Sequence, residues 1–217
     1  MSNQDEEGIP DINLFMMCER LSSNALSELS TDYYVRNCRK DELGIWKEMP
    51  FDDPMEAKEY RGFMADYFST VYTTKGDLFY EKCLFVCDNN DSPIATAFIW
   101  KAYEKINTVH WVKVLKEYEG KGIGRALLSI LMKDLKEEDY PVYLHTQPSS
   151  YRAIKLYSDF GFSLLSDPHI GPRKNDLEEC LPILERCMPN EDFNRLQISE
   201  APTYFLKILG KAKEDQF

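Results

Sequence analysis

Three alternate glycines, Gly120, Gly122 and Gly124, interrupt a β-branched run and lead at once into an amphipathic stretch that begins at Ile123. Glycine tolerates the left-handed backbone that turns successive N–H groups the same way, and a following helix adds its positive N-terminal end. This is the chemistry of an anion cradle, and a pyrophosphate fits it. Lys121 and Arg125 stand where they could add positive charge. The turn does not continue into the Gly-Lys-Ser/Thr ending of a Walker loop. The strands before it read as a meander and not as the opening of a βαβ series, which argues against a dinucleotide-binding turn.

Such a turn needs a strand to feed it and a helix to follow it, and both are legible. Tyr33 to Arg39 reads as a strand. Asp41 is expected to cap a short helix through Met49. Pro54 opens a longer one with Ala57, Tyr60, Met64, Tyr67, Phe68 and Val71 on one face. From Cys83 the period changes to two: Cys83 to Cys87, a turn at Asp88 to Asp91, Ile94 to Tyr103, and Ile106 to Leu115. A helix is predicted from Ile123 to Lys136, with Leu127, Leu128, Leu131, Met132 and Leu135 inward. Val142 to Thr146 is a strand, and Ser149 or Ser150 caps a helix that runs to Phe160. Gly161 ends that helix before a strand from Phe162 to Leu165.

Outside this series, residues 11 to 29 place Ile12, Phe15, Met16 and Leu21 at roughly helical spacing, which predicts a short docking helix. After a loop from Asp167 to Pro172, residues 176 to 187 form an amphipathic helix with Leu177, Leu181, Leu184 and Met188 on its apolar face, and Gln197 to Ser199 a short strand. The organisation expected is an N-terminal extension over residues 1–32, a core over 33–166 and a C-terminal elaboration over 167–217 packed on that core.

Composition narrows the function. With 26 basic against 37 acidic residues the net charge is −11, which repels nucleic acid and favours a cationic partner such as an amine. No window approaches the roughly 18 consecutive apolar residues of a membrane helix. The acidic residues 1–8 lack the basic flank and apolar run of a signal peptide, so a cytoplasmic protein is expected. Six cysteines at irregular spacing read as reduced thiols and not as disulfides or metal ligands.

The element order and two motifs resemble the GNAT (Gcn5-related N-acetyltransferase) superfamily over roughly Tyr33 to Leu165. Its signature Q/R-x-x-G-x-G/A is matched by Glu119-Gly-Lys-Gly122-Ile-Gly124, and its A-x-x-L-Y-x-x-x-G-F element by Ala153 to Phe162. The resemblance implies an α/β fold with a mixed, mostly antiparallel central sheet flanked by helices and splayed near the glycine turn. It also implies transfer of an acetyl group from acetyl-CoA to a primary amine of a small molecule or peptide, by direct attack in a ternary complex and without a metal. Glu119, Gly120, Lys121, Gly122, Ile123, Gly124, Arg125 and Ala126 would then hold the cosubstrate's pyrophosphate. Val114 would offer its backbone to the pantetheine arm, and Ser150 its hydroxyl. Tyr157 matches the family's frequent general acid.

His110 lies on the strand where several family members carry the base; strict alternation puts it on one face with Thr108, Val112 and Val114. Two departures stand out: Glu119 replaces Gln or Arg, and Ser150 replaces the Asn common near the start of the second motif's helix. Glu119 brings an anion to the cradle that Lys121 must offset, which favours as an alternative a catalytically weak module that binds or senses acyl-CoA. A third reading makes the tail helix a protein-interaction surface. His145 either lines the cleft or caps its strand, and Arg173 or Asp176 could contact an acceptor. A homodimer is compatible with the sequence.

Overall fold

The computed structural model describes residues 8–212 and 216. Ten strands are found among them: β1 (Leu14–Cys18), β2 (Tyr34–Asn37), β3 (Leu84–Cys87), β4 (Pro93–Ala102), β5 (Ile106–Val114), β6 (Val142–Thr146), β7 (Phe162–Leu165), β8 (His169–Ile170), β9 (Arg173–Lys174) and β10 (Ile198–Ser199). The helices are α1 (Leu43–Glu48), α2 (Pro54–Glu59), α3 (Arg61–Tyr67), α4 (Leu78–Lys82), α5 (Ile123–Met132), α6 (Tyr151–Asp159), α7 (Leu177–Cys187), α8 (Asn190–Phe193) and α9 (Thr203–Leu209). The chain forms two compact units, Leu26–Trp100 with Val109–Leu135, and Met1–Ala25 with Lys101–Thr108 and Lys136–Phe217. The expected fold class is met: an α/β chain whose pairings are mixed but mostly antiparallel.

In the unit that carries the glycine turn, β2, β3, β4 and β5 lie side by side, with Tyr34 opposite Cys87 and Leu84 opposite Ala97. One face of these strands holds Val86, Ala95 and Ala97, all fully buried, against Ile123 and Leu127 of α5. The other presents Phe98 to an aromatic cluster centred on Trp46, whose ring lies 4.9 Å from Phe79 and 5.6 Å from Trp111. The cap of the first helical segment differs from the expectation. The Glu42 carboxylate, not Asp41, accepts the Arg39 N–H at 2.9 Å, because Glu42 is buried and held by Arg36 while Asp41 is exposed. The long helix expected after Pro54 is broken into α2 and α3 and passes into a π-helical turn over Phe68–Tyr72.

In the other unit, residues 11 to 29 are not helical. They form the strand β1, which pairs antiparallel with β6 on one side and β7 on the other (Met16 opposite Leu144 and Leu164), and then a 3-10 turn, Ser23–Ala25. The reason is that all five residues of β1 are apolar and buried, as an interior strand requires and a surface helix does not. β10 adds in parallel to β7, and β5 pairs in parallel with β6 at Asn107 and Thr108. The expected tail helix is α7, and its buried face is Leu177, Cys180, Leu184 and Cys187. α9 brings Phe205 flat onto Tyr143, with ring centroids 3.8 Å apart.

Gly161 ends the segment after α6 with φ +96°, and a Cβ there would stand 2.6 Å from the Arg20 carbonyl oxygen. Gly161→Ala therefore combines a left-handed strain with a backbone clash and is expected to lower unfolding stability by at least about 2 kcal/mol. Denaturant unfolding checks this; an unchanged midpoint would contradict the close packing at this turn.

Candidate functional site

Two of the three glycines of the turn are left-handed, and Gly124 lies within α5. A 3-10 turn over Lys116–Tyr118 is followed by extended Glu119, then by Gly120 and Gly122 with φ +74° and +78°. A Cβ on either glycine would meet nothing within 4 Å, so the turn faces open space. Gly122 is the N-cap of α5 and lends no side chain to it. The Ala126 N–H closes on the Gly122 carbonyl at 3.0 Å, so the N–H groups of Ile123, Gly124 and Arg125 belong to the open first turn. The helix start is pinned from behind: Ser129 Oγ donates to the Arg125 carbonyl at 2.8 Å and accepts the Ser27 N–H at 2.9 Å. Ala126 is buried, whereas Glu119 and Lys121 are exposed. The Lys121 ammonium lies 4.5 Å from the centroid of the Tyr118 ring. Val114 ends β5 and packs toward the α5 face.

His110 differs from its expected placement. Trp111 takes φ +53°, a left-handed conformation rare for a large side chain, and this breaks the alternation of β5. His110 and Trp111 therefore both join the aromatic cluster, with His110 5.5 Å from Phe98. Val112 and Val114 turn to the opposite face against α5, and Lys113 reaches Asp52 at 2.7 Å.

His110 is almost fully buried, and its Nδ1 lies 2.6 Å from the Tyr72 hydroxyl. That hydroxyl also accepts the Trp111 indole N–H at 2.9 Å, and the Tyr72 ring meets Tyr67 with centroids 5.7 Å apart. The donors are matched when the Trp111 N–H runs into Tyr72 and the Tyr72 O–H into His110 Nδ1. Tyr72 and Trp111 were not singled out by the sequence; only their aromatic character marks them there.

In the unit formed with residues 136–217, Ser150 stands at the N-cap of α6, as expected, but its side chain makes no capping bond. Tyr157 is on the buried face of α6, its ring 5.9 Å from Phe162. Burial alone raises its pKa above the ordinary phenol value. His145 donates its Nε2–H to Asn13 Oδ1 at 2.9 Å and packs against Phe15. Arg173 lies over Phe15, and Asp176 accepts the Asn13 N–H at 2.9 Å and pairs with Lys174, so these residues anchor the entry to β1.

Burial pushes the thiols of Cys18 and Cys180 up to about 12 and that of Cys87 to about 11, which leaves them protonated and poor nucleophiles. Among the described residues no group of three or more His, Cys, Asp or Glu side chains could hold a metal, and no helix is long and apolar enough to cross a membrane.

Burial, with Arg173 nearby, lowers the His145 pKa from 6.5 to about 3. The folded protein keeps His145 neutral while the unfolded chain protonates it, so this contribution to stability is complete above about pH 6.5 and shrinks as pH falls toward 3. Stability in wild type is expected to fall by up to about 1.4 kcal/mol per pH unit more than in His145→Gln across that window. Parallel pH curves for the two proteins would contradict the neutral, buried state.

The family model for the acetyltransferase (GNAT) family matches residues 45–162, which contain the glycine turn, His110 and Tyr157. No curated protein matches the chain. Solved structures with a similar fold include an acetyltransferase of the GNAT family from Novosphingobium aromaticivorans (15% identity, 71% of this chain and 60% of that one, TM-score 0.43). A GCN5-related N-acetyltransferase from Sphaerobacter thermophilus is 15% identical over 65% of this chain and 45% of that one, with a TM-score of 0.44. A GNAT-family acetyltransferase from Colwellia psychrerythraea is 13% identical over 72% and 53%, with a TM-score of 0.48. The chain spans roughly half the length of these proteins. With every score below 0.5, the family assignment rests on the family model.

Proposed function

We propose that this chain, which belongs to the acetyltransferase (GNAT) family, transfers an acetyl group from acetyl-CoA to a primary amine. The observation that carries the reading is the glycine turn: two left-handed glycines with open space before them and a helix start whose cap lends no side chain. That geometry fits a pyrophosphate, because unsatisfied N–H groups and the helix dipole both favour negative charge there. The N–H groups from Gly120 to Arg125 would hold the cosubstrate, with the Arg125 side chain beside them; the expected Ala126 N–H is instead taken by the Gly122 carbonyl. Lys121, held over Tyr118, keeps a positive charge near the turn that offsets Glu119. Val114 and Ser150 are assigned to the pantetheine arm on the family motif. When bound, acetyl-CoA supplies an activated acetyl thioester.

The chain's own residues then manage protons. His110 takes the Tyr72 hydroxyl's hydrogen bond at Nδ1 and, since both groups are closed to solvent, would act as a base through Tyr72. Tyr157 holds its proton at every working pH, because burial raises a pKa that starts near 10. It therefore acts as a hydrogen-bond donor available to a departing thiolate and not as a free acid.

Two variants test the division of labour. Gly122→Ala forces a left-handed alanine at a cost of about 1–2 kcal/mol and is expected to weaken CoA binding roughly tenfold by calorimetry. Tyr157→Phe should leave that affinity unchanged and lower kcat about tenfold to a hundredfold, followed by CoA release with a thiol reagent. Binding without turnover in the wild-type protein would support the acyl-CoA sensor instead, and absence of binding would overturn both.

A further inference from the structure

The segment Phe51–Tyr67 carries aromatic side chains that the acetyl-transfer reading does not use. Phe51 stacks on Tyr60 with centroids 5.3 Å apart and planes 15° apart, Tyr60 meets Phe63 at 6.4 Å, and Phe63 meets Tyr67 at 6.0 Å. Tyr67 in turn meets Trp111 at 5.4 Å. The rings form one ladder, and its outer rungs face water: Tyr60 is 43% exposed and Phe63 54%. Scattered apolar residues on a surface mean little, but a connected row of rings is a binding feature. The helix period explains how it arises. Tyr60, Phe63, Met64 and Tyr67 recur at the i, i+3, i+4, i+7 spacing of one face, of which only Met64 is buried to completion.

The ladder leads somewhere. Its inner end, Tyr67, meets the Tyr72 ring at 5.7 Å, and the Tyr72 hydroxyl bonds His110, so rings at the surface and the proposed base belong to one connected arrangement. Two irregularities of this unit also meet there: the π-helical turn that ends at Tyr72 and the left-handed Trp111. Charge selects the occupant. Residues 51–67 hold five carboxylates (Asp52, Asp53, Glu56, Glu59, Asp66) against Lys58 and Arg61; with Asp52 paired to Lys113, carboxylates still outnumber cations there, within a chain of −11. Aromatic faces in a negative field attract a cation that carries a flat apolar body.

We propose that the ladder is the acceptor site and that the acceptor is an arylalkyl primary amine. Its ring packs among Phe51, Tyr60 and Phe63, and its nitrogen lies toward Tyr67 and Trp111. The inference rests on the acetyl-transfer reading. In that reaction the neutral amine nitrogen forms a bond to the acetyl carbon, the carbon–sulfur bond breaks with its electron pair kept by sulfur, and the proton lost by nitrogen balances the one gained by sulfur. The products are the amide and CoA as its thiol, with no net change in protons.

Phenethylamine and ethanolamine, assayed with acetyl-CoA on the full chain, separate the possibilities, together with calorimetric binding of phenethylamine alone. Phenethylamine is expected to have the higher kcat/KM by at least about tenfold, and Phe63→Ala to erase that advantage by raising the KM for phenethylamine. Because Phe63 is exposed, the variant should fold, which circular dichroism checks. Equal kcat/KM for the two amines, or an effect of Phe63→Ala on neither, would overturn the proposal while acetyl transfer stands. If no amine is acetylated, acetyl transfer fails, and the binding arm decides: phenethylamine binding weakened about tenfold by Phe63→Ala sustains the site, and absence of binding overturns it. A dimer by light scattering that Phe63→Ala dissociates would also overturn it, since a second copy would be the occupant.

Discussion

The left-handed backbone at Trp111 is the constraint on which the glycine-turn unit depends. An alternating strand would turn Val112 and Val114 toward the aromatic cluster and leave α5 without its apolar floor. One residue out of register lets β5 serve both faces, with His110 and Trp111 on one side and Val112 and Val114 on the other. The strain, about 1–3 kcal/mol for such a residue, is offset by the indole N–H bonded to Tyr72 and by the Trp111 ring packed on Trp46 and Tyr67. The same residue thus fixes the environment of His110 and the support of the helix whose start forms the cradle.

The unit that carries Tyr157 depends on a strand from outside the family match. β1, residues 14–18, lies between β6 and β7, while the match covers residues 45–162. Its entry is tied by Asn13, which bonds Asp176 through its backbone and His145 through its side chain. The helix α6 is closed at Gly161 against the segment that leaves β1, so the two ends of this arrangement hold one another.

Much of this was legible in the residues. The period-two runs marked β3, β4 and β5, and the glycines marked the start of α5 and the end of α6, because those features are local. β1 is ambiguous in the sequence because Phe15 and Met16, with Ile12 and Leu21, satisfy a helical period as well as a short buried strand does; only its two partners decide. The face of His110 was not legible either. A positive φ at a tryptophan leaves no mark in the sequence, so parity carried the expectation past the point where it failed. Tyr72 was hidden among many aromatics, and its role comes from the π-helical turn that brings its hydroxyl to His110 and Trp111.

The central claim is that the glycine turn is the acyl-CoA anchor, and backbone amide resonances read it most directly. On titration of the nitrogen-15-labelled protein with CoA, saturable shifts concentrated at Gly120 to Arg125 are expected, reversed by dilution and weakened by salt. Saturable shifts that leave these amides unmoved, or none at millimolar CoA, would contradict it.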